Sequence, residues 1–168
     1  MEMMVDMSVT SVLPGPLAVR TLLEDLLIRE VTVSHGPPMT QADLPTAVLA
    51  MFTDTAQQLY AVIGMQLDLA ANIGAALGLL PPSAAEESVE QRRLTPELAE
   101  NVFGLCTLLP GLFNAGGTPH VKLYQVVYPT MPIPDEAVAH MITLGRRVDL
   151  TVEVARYGKG KFSLSLAQ

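Results

Sequence analysis

Tryptophan is absent from this chain and aromatic residues make up only 5% of it, so recognition that relies on stacking platforms has little to work with. Basic residues are also scarce. Ten Lys and Arg face seventeen Asp and Glu, a net charge of −7. Phosphate backbones are bound by Lys and Arg displacing counterions, so nucleic acid is excluded as a partner. The single cysteine, Cys106, has no mate for an internal disulfide, which implies a reducing compartment. Its neighbours Leu105, Leu108 and Leu109 make it a small buried hydrophobe, and no basic residue close in sequence activates it as a nucleophile. No apolar run is long enough to span a bilayer: Leu59 to Leu80 is broken by Gln66, Asp68 and Asn72 and closed by Pro81-Pro82. The start, Met1-Glu2-Met3-Met4-Val5-Asp6-Met7, carries acid where a secretory leader needs positive charge, so the expected location is cytoplasmic.

What is present is apolar. Hydrophobic residues are 49% of the chain and charged residues 16%, a balance that folds rather than stays disordered. A length of 168 residues fits a single domain over 1–168, with 1–14 expected to be loosely ordered. With nine Met in the chain and no Trp, the core is expected to be aliphatic with Met as filler. Residues 1–101 carry a net −9 and residues 102–168 a net +2. That asymmetry, with more apolar residues than the interior of such a domain needs, predicts a homodimer.

Leu17 to Glu30 has Val19, Leu22, Leu23, Leu26 and Leu27 at helical spacing, with Arg20 and Glu24 four apart. A short strand, Val31 to Ser34, follows before the turn at His35-Gly36-Pro37-Pro38. Thr46 to Thr53 and Leu59 to Met65 read as a hairpin, and Leu67 to Leu80 as a helix whose Ala70, Gly74 and Gly78 form a row of small side chains for close packing. Pro81 to Arg93 reads as a polar connector. Thr95-Pro96-Glu97 starts a helix to about Phe113, interrupted near Pro110 and ended by Asn114-Ala115-Gly116-Gly117. Val121 to Tyr128 alternates as a strand and Pro134 to Leu144 is a short helix. Val148 to Tyr157 and Lys161 to Leu166 form a terminal hairpin with its tip at Gly158-Lys159-Gly160. The order lacks a sustained βαβ rhythm, so the expected class is α+β with a largely antiparallel sheet packed with long amphipathic helices.

No motif calls for a cofactor. Gly158-Lys159-Gly160-Lys161 lies between strands, whereas a phosphate loop runs from strand to helix. His35, His120 and His140 are far apart and none has a second ligand one helical turn away, so no metal is expected. Asp68 and Asn72 share a helix face and can orient a water, though an acid in a first turn also simply favours the helix. Glu86-Glu87, Glu90, Glu97 and Glu100 read as a solvated acidic face.

From about Thr46 onward, the succession of strand pair, small-residue helix, linker, long helix, strand reaching Pro129 and terminal hairpin resembles the CheC/CheX-type chemotaxis phosphatases, which act on phosphorylated receiver domains. The family signature is an Asp or Ser, three residues, a Glu, two residues, an Asn and a distant Pro. Aligning on Pro129 puts Glu100 at the first position, Gly104 in place of the Glu and Thr107 in place of the Asn. A second register keeps the Glu as Glu97 but turns the Asn into Glu100. Neither register holds both catalytic side chains. The resemblance therefore implies a CheX-like single domain that binds, with a response-regulator-like protein as partner, and is more a binding protein than an enzyme. The alternatives are an active phosphatase or hydrolase using Glu97 or Glu100 with Asn101, and an unrelated small α+β interaction module.

Overall fold

The computed structural model describes residues 13–114 and 120–167. The expected loose segment 1–14 falls, but for its last two residues, outside them, as do Ala115 to Gly117 of the expected helix end.

The elements are α1 (Pro16–Leu27), β1 (Val31–His35), a short 3-10 turn (Leu44–Thr46), β2 (Val48–Thr53), β3 (Leu59–Met65), α2 (Leu67–Leu77), α3 (Pro82–Gln91), α4 (Pro96–Leu108), a second 3-10 turn (Leu109–Leu112), β4 (Lys122–Val127), α5 (Asp135–Ile142), β5 (Arg147–Val154) and β6 (Gly158–Leu166). The six strands form one antiparallel sheet in the order β1-β5-β6-β3-β2-β4. The α+β class with an antiparallel sheet is therefore present as expected.

Alternation along the strands sorts the core into two layers. Ala50, Phe52, Ile63, Leu150, Phe162 and Leu164 face α1 to α4. Leu49, Met51, Val62 and Val127 face the other way, onto Met39, Leu44, Ala137 and Met141 from α5 and the segment after β1. Beside that second layer the sheet face is polar, and the segment after β1 is latched to it. Asp149 accepts from Arg147 at 2.8 Å and from the Ser163 hydroxyl at 2.7 Å, while Ser163 Oγ accepts the Met39 N–H at 3.3 Å. Lys161 Nζ lies 2.8 Å from Asp43. Burial pushes the Asp43 carboxyl up, but the Lys161 ammonium and the Thr40 donors outweigh it and hold the group below its usual range.

Two expectations are corrected. Pro81 to Arg93 is not a connector: Pro82 suits the first position of α3, whose Ala85 and Ser88 are buried, and Arg92 at φ 60° ends it. The Ser88 hydroxyl then accepts the Thr95 N–H at 3.0 Å, so α3 sets where α4 begins. The terminal hairpin does not turn at Gly158-Lys159-Gly160; those residues pair with Glu153, Val152 and Val154 of β5, and the turn is 155–157. Gly160 is a glycine because α2 lies on it, a Cβ there standing 2.9 Å from Leu69 Cβ. The interruption expected near Pro110 is present: the long helix ends at Leu108 and its last turn is split off as the 3-10 turn Leu109–Leu112.

α1 packs through Val19, Leu23 and Leu27, with Leu22 and Leu26 only half-buried. Its end is tied to β1 by the Val31 N–H donating to Glu24 at 3.0 Å. Leu23→Ala should lower the unfolding free energy by about 2–5 kcal/mol in denaturant melts, and Leu26→Ala by clearly less. Equal, negligible effects would mean that α1 is not part of the core.

Candidate functional site

The amphipathic α4 presents the residues that the sequence singles out. Its inner side, Leu98, Val102, Leu105 and Cys106, is buried. α2 approaches this side at Gly74, where an added Cβ would stand 3.1 Å from the Leu98 carbonyl oxygen and 3.3 Å from Val102. Gly74 thus performs the packing role read from the small-residue row. Cys106 is fully enclosed, and burial pushes its thiol up to about 12, so it stays protonated and unreactive at neutral pH.

With that side committed, Glu97, Glu100, Phe103, Gly104, Thr107 and Leu108 point outward, and Asn101 sits at the boundary. A groove of about 270 Å³ runs along α4, lined by Leu26, Leu77, Glu100, Asn101, Gly104 and Leu108. Glu97 and Thr107 do not line it. The hydrogen bonds within the site are specific. Asn101 donates its Nδ2 to the Gly74 carbonyl at 2.9 Å, an oxygen that also takes the Gly78 N–H at 3.2 Å. Thr107 donates its hydroxyl to the Gly104 carbonyl at 2.7 Å, bonding back along its own helix. Gly104 has open space where a side chain would stand. Phe103 and Leu108 are exposed at 47% and 50%, which puts apolar surface beside the groove.

Pro129 is buried where β4 gives way to a turn, and Thr130 after it donates its N–H to the Pro45 carbonyl at 3.1 Å. It shapes the strand end and lies outside the groove. Tyr128 beside it has its phenol raised by burial, with Cys106 adding to the effect.

The remaining candidates are scattered. His35 is on β1, His120 lies just before β4 and His140 is in α5, its carbonyl accepting from Arg147 at 3.2 Å. Among the described residues no three His, Cys, Asp or Glu side chains are placed to hold a metal ion, and no helix is long and apolar enough to cross a membrane. Asp68 and Asn72 line a cleft with Glu86 and Glu90. Sequence reading missed that juxtaposition because it depends on α3. The available signal was Pro82 followed by Ala85 and Val89 four apart.

No family model matches the chain, and no curated protein matches its sequence. Solved structures do. The FliM middle domain from H. pylori superposes with a TM-score of 0.56 at 8% identity, covering 90% of this chain and 86% of that one. A chain of the FliG–FliM complex from H. pylori gives 0.51 at 7% identity, over 90% and 85%. A chain of the CheX–CheY–BeF3–Mg complex from Borrelia burgdorferi gives 0.47 at 12% identity, over 90% and 94%. The fold is that of the FliM middle domain.

Asn101→Ala should cost about 0.5–1.5 kcal/mol of stability, because it strips a part-buried hydrogen bond joining α2 to α4 while the Gly74 carbonyl keeps the Gly78 N–H. Chemical denaturation of the purified variant measures this. A neutral result would free the Asn101 amide for another role.

Proposed function

We propose that this chain, built on the fold of the FliM middle domain, is a single-domain cytoplasmic binding protein that engages a receiver-like partner over the outer face of α4 without dephosphorylating it. One observation carries the reading: at the positions aligned with the family's acid and amide, Gly104 has no side chain and the Thr107 hydroxyl is already bonded to its own helix, while the nearby Asn101 amide is engaged in packing. Orienting a water for attack requires an amide or acid free to hold it at the reacting atom. The Asn101 amide serves Gly74, the Thr107 hydroxyl serves Gly104, and Gly104 has no side chain. What the face does offer is exposed apolar surface at Phe103 and Leu108 with Glu97 and Glu100 alongside, a mixture suited to a protein partner. FliM, which shares the fold, occurs in a complex with FliG, and such use of the scaffold supports binding as the activity here.

Mixed with a phosphorylated receiver domain, the wild-type protein should leave the rate of phosphate loss unchanged. Gly104→Glu with Thr107→Asn places an acid and an amide three residues apart in open space on one helix face. That double variant should gain measurable acceleration if the α4 face docks the receiver. Acceleration by wild type would overturn the non-catalytic reading and turn attention to Glu97, Glu100 and Asn101.

The reading includes a homodimer. β4 ends the sheet, leaving one side of its backbone without a strand neighbour, and Tyr124 on it is 65% exposed. Light scattering at micromolar concentration should report about twice the 18.0 kDa chain mass. A mass equal to one chain would remove the dimer from the proposal.

A further inference from the structure

On the opposite side of α2 from the groove lies a cleft of about 480 Å³. Asp68 and Asn72 stand one turn apart on α2, and Glu86 and Glu90 stand one turn apart on α3, so each pair shares a helix face. The turn between β5 and β6 closes the end, with the Tyr157 ring as a wall. That wall is held in place: Tyr157 donates its hydroxyl to the Leu80 carbonyl at 2.5 Å, and the Arg29 guanidinium lies 5.0 Å from its ring centre.

Two features of the cleft are unmet within the chain. First, Asp68, Glu86 and Glu90 line the cleft from two helices and have no ion-pair or hydrogen-bond partner among the described residues. Lys159 lines the cleft, but alternation along β6 directs its side chain with that of Lys161, away from α2, while Gly158 and Gly160 face the helix. Second, Asn72 is only 8% exposed and its amide has no partner among the described residues. Its Nδ2 stands 3.2 Å from where a Cβ on Gly158 would be, placing the amide at the floor under the turn. Buried side-chain amides are normally hydrogen-bonded, and this one opens only onto the cleft, which must supply its partners from solvent or a ligand.

The chemistry that satisfies both is a cation rich in N–H donors. An anion is opposed by the carboxylates, and these acids do not converge in a way that holds a metal ion. A spherical ammonium reaches few acceptors at once, whereas a planar guanidinium has five donors in a fixed fork that can serve carboxylates on two walls and an amide oxygen between them. The volume lies within the roughly 300–1,000 Å³ of small-ligand sites. We propose that this cleft binds a guanidinium group, with Asp68, Glu86 and Glu90 as its counter-charges and the Asn72 side-chain carbonyl as the acceptor at its floor. The proposal stands apart from the reading of α4.

The test is titration of the isotope-labelled full chain with Nα-acetyl-argininamide and, separately, ethylguanidinium, followed by amide NMR. Saturable shifts are expected at the Asn72 side chain and at the backbone of Tyr157, Gly158 and Lys159, with none from Nα-acetyl-leucinamide. Equal affinities for the two ligands would show that the guanidinium alone is read, and tighter binding of the argininamide would point to an arginine within a peptide; both support the site. Glu86→Gln with Glu90→Gln, which alters only exposed side chains, should weaken binding by roughly tenfold or more, the loss expected for charge-assisted bonds. Asn72→Leu should also weaken binding, because it removes the acceptor at the floor of the cleft. The absence of saturable shifts, or undiminished affinity in the Glu86→Gln/Glu90→Gln protein, would overturn the proposal. So would undiminished affinity in Asn72→Leu, and if that variant fails to fold the exposed double variant decides.

Discussion

The close approach of α2 to its neighbours on two sides is the constraint on which the rest of the molecule depends. On one side Gly74 lets the helix come against the Leu98 backbone of α4, and on the other Gly160 lets it lie directly on β6. A glycine inside a helix costs about 0.5–1 kcal/mol relative to alanine, but here even one methyl group would meet a carbonyl oxygen at 3.1 Å. The helix is buried along nearly its whole length, from Leu67 to Ala76. An element with so little exposed surface cannot shift without opening both layers, which gives the groove on α4 and the cleft beside α3 a common rigid wall.

That wall divides the polar groups of the molecule into those that the fold uses and those that it leaves open. Asn101 and Asn72 carry the same side chain on neighbouring helices. Asn101 closes the joint between α2 and α4 through the Gly74 carbonyl, so the fold itself accounts for it. Asn72 faces the β5–β6 turn with no partner among the described residues, and the fold does not account for it. The difference comes from position along the helix, and it separates a structural amide from one available to a ligand.

The carboxylates divide in the same way. Asp43 and Asp149 are paired with Lys161 and Arg147 and fasten the segment after β1 and the end of α5 to the polar part of the sheet. Glu86, Glu90 and Asp68 have no such partners. A face that reads as merely solvated in sequence becomes a cleft once a third helix is in place.

The sequence by itself determined the class of the fold, because strand alternation and helical spacing depend only on nearest neighbours along the chain. Val19, Leu23 and Leu27 announce α1, and Thr95-Pro96-Glu97 announces α4, from local chemistry alone. The resemblance read from it to the CheC/CheX type would set Gly104 and Thr107 in place of that signature's acid and amide, an alignment that needs no coordinates to be proposed. Only the tertiary structure decided what the glycines are for. Gly158 and Gly160 look like a turn in sequence, but they belong to a strand that α2 covers. Likewise α3 has so few apolar residues that its helix depends on burying Ala85 and Ser88 against the rest of the chain. Which amide is spent and which is open, Asn101 or Asn72, was likewise beyond reach of the sequence, because a hydrogen-bond partner 27 residues away is fixed by packing rather than by spacing.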